Sequence, residues 1–169
     1  IRIIYNGTTY STTGSGTQIG TNAFNNTGNH NKYVGYMYGE SSNDYAITHT
    51  NTNSSTIKGV LDNWYKTNII DNNYDKYISK EAGFCGDRQV ATGHSNYTGN
   101  GGGTSKTVYA PANRLLTANL KGWKTTQVVT YSCNINDLYT VALSSKGNKT
   151  LTYPIGLITS DEVVYAGGF

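Results

Sequence analysis

Cys85 and Cys133 constrain this chain more than any other pair of its residues. An even cysteine count in a chain of secreted character points to one disulfide, because two free thiols are a liability in an oxidising compartment. The bridge would close a loop of about 49 residues and contribute ~4 kcal/mol by restricting the unfolded chain. The alternative is two separate buried thiols. A metal role is disfavoured, since neither cysteine has a Cys or His within four residues.

The secreted character rests on composition. The 169 residues suit a single domain, 1–169, with a strand- and loop-rich part over 1–53 and the cysteine-bearing part over 54–169. Only 36% of residues are hydrophobic, and Tyr supplies 15 of them against 3 Phe and 1 Met. Tyrosine buries its ring while its hydroxyl needs water or a partner, so the expected core is thin and partly polar. Gly, Ser, Thr and Asn make up much of the rest, favouring short strands joined by polar loops. With 14% charged residues the chain does not resemble a disordered, charge-rich segment.

Charge narrows the partners. The net charge of +3 is spread along the chain, with no run of more than two Lys or Arg, which argues against a nucleic-acid partner. No apolar run approaches the length of a membrane span, so no membrane insertion of this segment is expected. The chain starts on Ile1-Arg2-Ile3-Ile4-Tyr5, a strand-like run without an initiator Met or signal peptide, as a mature or internal fragment would.

Local patterns set the elements. Thr12 to Gly20 and Asn25 to Asn31 have loop composition. Tyr33 to Tyr38 reads as a strand with Tyr36 and Tyr38 on one face. Ile57, Val60, Leu61 and Trp64 recur at helical spacing, predicting a helix from about Thr56 to Ile70, capped by Ser55 and ended by Asp71-Asn72-Asn73. Trp64 reads as a core anchor, and Gly59 as a point of close packing. Gln127 to Cys133 and Tyr139 to Leu143 read as strands of a hairpin or meander, with turns at Asn134–Asp137 and Ser144–Asn148. Thr159-Ser160-Asp161-Glu162 has capping-box spacing, so a second helix is expected to begin there.

Motifs for chemistry are sparse. The Gly101-Gly102-Gly103 loop departs from a phosphate-binding loop, with Asn100 in place of the first Gly and Ser105 before Lys106. His30, His49 and His94 lie far apart in polar loops, and no Gly-x-Ser-x-Gly elbow occurs. No acidic residue stands in a glycosidase-type motif. Asn134, Asn136 and Asp137 are a weak calcium candidate. Asp87 and Arg88 are expected to form an ion pair locking the corner at Cys85. Trp123, between Lys121 and Lys124, together with Tyr36 and Tyr38, are the candidates for ligand contact through exposed aromatic faces. Five Asn-x-Ser/Thr sequons, at Asn6, Asn25, Asn53, Asn96 and Asn148, carry little information. No catalytic residue, cofactor or metal site is assigned.

The run from Leu157 to Gly168 resembles the strand-to-helix junction of formylglycine-generating-enzyme-like and C-type-lectin-like bacterial domains. Over about residues 55–168 the chain also resembles an uncharacterised family of Gram-positive surface proteins. The shared features are Asn63-Trp64-Tyr65, Phe84-Cys85-Gly86-Asp87-Arg88, Cys133 with Asn136-Asp137, and Tyr153 to Gly168. The resemblance implies an α+β, C-type-lectin-like fold of short twisted antiparallel strands with two helices, incomplete at its C-terminus. It carries over neither the catalytic cysteines of the enzymes nor the calcium and sugar motifs of the lectins. The resulting expectation is a non-enzymatic, extracellular bacterial surface or appendage module of structural or adhesive role, such as a pilus or filament subunit. Its partners would be other protein subunits, including copies of itself, or host or cell-wall glycans. A carbohydrate-binding lectin-like domain is the alternative, and a hydrolase acting on cell-wall polymers the lesser one.

Overall fold

The computed structural model describes residues 5–25, 35–39, 47, 50–88, 118–119, 122–123 and 129–167, with backbone alone at 118–119 and 122–123. The architecture is α+β. Among the described residues, three two-stranded antiparallel sheets pair β1 (Met37–Tyr38) with β2 (Asn53–Ser54), β3 (Phe84–Cys85) with β6 (Leu138–Tyr139), and β4 (Ala118–Asn119) with β5 (Gly122–Trp123). Among the described residues the α-helices are α1 (Thr56–Tyr65), continued by a π-helical turn over Lys66–Ile70, and α2 (Ser160–Tyr165).

α1 begins where Ser55 supplies a cap. Its hydroxyl accepts the Lys58 N–H at 3.1 Å and donates to the Tyr36 carbonyl at 2.7 Å, so one side chain starts the helix and fixes it to the segment leading into β1. The expected span of 56–70 holds, in two helical forms. The buried face, however, is Lys58, Leu61 and Tyr65, about one residue round from the expected one. Ile57 packs against the core from its edge. Trp64 is half-buried, edge-on to Tyr5 at 5.4 Å, rather than a core anchor. Gly59 is exposed with open space around it, so close packing does not explain it. Lys58 is 3% exposed because its ammonium meets the Asp62 carboxylate one turn on.

The core gathers Tyr36, Met37, Leu61, Tyr139, Val141 and Leu151, with Phe84, Ile155 and Leu157 packed against it. Tyrosine does fill it. Tyr36 and Tyr139 meet edge to face at 6.0 Å, and the buried Tyr65 ring stacks on Tyr153 at 5.2 Å. The Tyr36–Tyr139 contact crosses the boundary between residues 1–53 and 54–169, and Tyr36 and Met37 belong to the same cluster as Leu61 and Leu151, so the two parts share one core among the described residues.

The C-terminal third corrects two expectations. Residues 129–134 form no strand, and residues 127–128 lie outside the described residues. β6 pairs with β3, 55 residues earlier at Phe84↔Tyr139 by register, and an isolated parallel bridge joins Val141 to Leu151. No hairpin with 129–133 is therefore made. The Asn134–Asp137 turn is a short 3₁₀ helix, Ile135–Asp137, capped by the Asn134 side chain, which accepts the Asn136 N–H at 2.9 Å. α2 begins as its spacing predicted. Thr159 accepts the Glu162 N–H at 3.2 Å, and Glu162 accepts the Thr159 N–H at 2.8 Å. The Gly101–Gly103 loop and the three histidines lie outside the described residues.

Candidate functional site

The Cys85–Cys133 disulfide is formed, with Cα atoms 5.9 Å apart. It ties β3 to the irregular segment before β6. Directly beside it lies the most heavily bonded group among the described residues. Arg88 is 2% exposed and Asp137 is 6% exposed. The guanidinium Nε donates to Asp137 Oδ1 at 2.7 Å, and the backbone N–H of Arg88 donates to the other oxygen of the same carboxylate. Nη1 donates to the Met37 carbonyl at 2.5 Å, and Nη2 donates to Asn51 Oδ1. The guanidinium also lies 5.6 Å from the centre of the Tyr139 ring.

This geometry corrects the expected Asp87–Arg88 pair. The carboxylate partner of Arg88 is Asp137, 49 residues on. Asp87 takes a left-handed backbone conformation, φ 52°, which turns the chain between Cys85 and Arg88. The same pairing removes the calcium candidate, because the Asp137 carboxylate is buried and held by Arg88. Among the described residues no group of three metal-ligating side chains occurs.

The knot draws in further groups. Tyr139 Oη donates to Asn51 Oδ1 at 3.1 Å, and Asn51 Nδ2 donates to the Asn136 carbonyl at 2.7 Å. Burial, the largest influence, pushes the Tyr139 phenol well above its ordinary range, so it stays a neutral donor. Two glycines make room. Gly35, at φ 115°, lies against the Arg88 stem, and a Cβ on Gly86 would sit 2.7 Å from the Tyr139 ring and 2.9 Å from Asp137 Oδ1. A guanidinium with partners from three separate segments works as a rivet, holding the β1 and β6 segments to the disulfide corner.

A cleft of about 120 Å³ lies beside the disulfide. Gly83, both cysteines and Leu138 line it, as do Asp87, Ser132, Thr159, Asp161 and Tyr131. Asp161 is 3% exposed and accepts the Thr130 N–H at 2.9 Å, which anchors this segment to α2. Tyr131 projects at the rim, 53% exposed, and Tyr165 stands edge-on to it at 5.8 Å and 66°, 76% exposed. Partial desolvation, then Tyr165 and Asp161, push the Tyr131 phenol up.

The structure redistributes the expected ligand contacts. Tyr36 is 4% exposed, its ring locked against Tyr139 and its hydroxyl directed to the Ile155 carbonyl, so it is a core residue. Tyr38 is half-buried in β1. Trp123 lies in β5, opposite Ala118, and its side chain is outside the described residues. The exposed aromatic corner is instead Tyr131 with Tyr165. In sequence neither was separable from the other tyrosines, and the spacing that could have linked them is the capping box, which places Tyr165 at the end of α2. Comparison with family models, with curated proteins and with solved structures yields no match.

Proposed function

We propose that this chain is an extracellular, non-enzymatic module of a bacterial surface or appendage protein, with a structural or adhesive role and a C-type-lectin-like arrangement. The observation that carries the reading is the Cys85–Cys133 disulfide set against the buried Arg88–Asp137 pair. A covalent staple beside a buried, multiply bonded ion pair suits a small domain with a thin, tyrosine-rich core that must hold its shape outside the cell. Among the described residues no helix is long and apolar enough to cross a membrane.

Labelling intact source cells with a membrane-impermeant amine reagent tests the location. The chain's lysines should be modified before lysis, and modification only after lysis contradicts the reading. For the filament-subunit form of the proposal, size exclusion and negative-stain microscopy over a concentration series should reveal growing assemblies. A strictly monomeric particle at high concentration contradicts that form.

A specific observation favours glycan adhesion as the second reading. The Tyr131–Tyr165 corner is exposed beside a cleft of mixed polar and apolar lining, a combination of flat ring and hydrogen-bonding groups that suits adhesive recognition.

A further inference from the structure

We propose that Asn6 is a self-modifying position, at which the neighbouring Gly7 nitrogen and water convert the side-chain amide to aspartate and isoaspartate.

Attack on an Asn amide carbon by the next backbone nitrogen closes a five-membered ring, and holding the two groups together makes this far faster than attack by water on an isolated amide. Three conditions decide whether a given Asn reacts. The following residue must leave room, the side-chain amide must be free to turn, and the attacking N–H must not be held elsewhere. Residue 7 is Gly, with no Cβ to shield its nitrogen. Asn6 is exposed, and among the described residues neither its side chain nor the Gly7 N–H makes a hydrogen bond. Other described asparagines differ on both counts. Asn53, Asn68, Asn72 and Asn148 donate from Nδ2 to the carbonyls of Gly39, Trp64, Thr67 and Asn136 at 2.8, 2.9, 3.0 and 2.9 Å. Each of the four is followed by a residue that carries a side chain. The fold also requires the glycine that makes Asn6 reactive. Gly7 sits at φ 93°, and a Cβ there would meet the Thr12 side chain at 2.5 Å.

In the reaction the Gly7 nitrogen loses its proton and bonds Asn6 Cγ. The Cγ–Nδ2 bond breaks and ammonia leaves. Water then opens the succinimide ring at either carbonyl, so one water is consumed and one ammonia released, with no change of oxidation state. Opening at Cγ gives aspartate, and opening at the main-chain carbonyl gives isoaspartate, whose main chain runs through Cβ and Cγ. Either product lowers the net charge of +3 by one unit and removes the Asn6-Gly7-Thr8 sequon. Isoaspartate also lengthens the backbone by one carbon directly after Tyr5, whose ring meets Trp64 of α1 edge-on at 5.4 Å.

The test incubates the folded, oxidised full chain, made in a non-glycosylating host, in heavy-oxygen water at neutral and mildly alkaline pH. Peptide mapping by mass reads each asparagine separately and distinguishes Asn6 from Asn100, which also precedes a glycine. An isoaspartate-specific methyltransferase reads the rearranged product. Asn6 should take up heavy oxygen at least roughly tenfold faster than Asn53, Asn68, Asn72 or Asn148. The rate should rise with pH, because the attacking nitrogen must be deprotonated, and isoaspartate should form. Asn6→Gln, which would have to close a larger ring, should stay unmodified at this position. A free peptide of residues 4–9 sets the unconstrained rate, and the folded chain should come within about tenfold of it. Conversion at Asn6 no faster than at the hydrogen-bonded asparagines overturns the proposal, as does suppression far below the peptide rate or equal conversion of Asn6→Gln. Each of these leaves the surface-module reading standing.

Discussion

Arg88 and Asp137 carry opposite charges in a site where each is almost wholly removed from water. Desolvation of both is costly, and the cost is offset only while every donor and acceptor stays paired. Asp137→Asn is therefore expected to destabilise the fold by about 3–5 kcal/mol, leaving a buried guanidinium without its counter-charge. Urea unfolding of the oxidised protein checks it, and a change within 0.5 kcal/mol of wild type would contradict the rivet. Arg88→Lys should fare little better, because an ammonium cannot reach Asp137, Met37 and Asn51 together. The buried phenols give a second residue-scale prediction. Burial raises the pKa values of Tyr36 and Tyr139 in the folded state, so the native protein keeps protons that the unfolded chain loses above about pH 10. Their contribution is complete below the ordinary tyrosine range and is lost as pH rises beyond it. Absorbance titration of tyrosinate should show more than one phase, with Tyr36 and Tyr139 ionising only on unfolding. Single-phase titration of all tyrosines would contradict this. At this scale the sequence was informative about residue type more than about place. Fifteen tyrosines announced a polar-edged core, yet nothing local separated core Tyr36 from rim Tyr131. Asp137 as partner of Arg88 was hidden because a 49-residue separation leaves no periodic trace.

At the scale of elements, the two helices were legible because caps and periodicity are local. Ser55 and Thr159 each do at the helix start what their spacing implied. Thr159→Ala should cost about 1 kcal/mol, within the usual 0.5–2 for a lost cap, and loosen the segment that Asp161 holds at Thr130. Chemical denaturation checks the cost, and hydrogen exchange at the Thr130 amide checks the loosening. An unaltered exchange rate would show that α2 does not anchor that segment. The strands were read poorly for a physical reason. Each described strand is two residues long, too short for alternation to register, and β3 meets β6 across a long stretch of chain, beside the disulfide and Arg88. The segment from Gln127 to Cys133 read as a strand, but in 129–134 the backbone is irregular: Thr130 bonds the Asp161 side chain and Cys133 the disulfide. The face of α1 was displaced by one residue because Lys58, buried with Asp62, occupies a position that a hydrophobic pattern assigns to solvent.

For the whole molecule, the covalent bridge and the rivet act on the same corner. The bridge limits the unfolded chain and contributes about 2–5 kcal/mol, while Arg88 holds the folded one to β1 and β6. Both serve a shape with a thin core, and the cleft at the disulfide is the face they make rigid. That dependence makes the redox state of the native chain the most direct test of the account. The chain should be released from source cells under thiol-blocking conditions and its intact mass measured before and after reduction. The account predicts no blocked thiol before reduction and two after, at Cys85 and Cys133. Two blocked thiols in the unreduced native chain would contradict an extracellular, disulfide-held module.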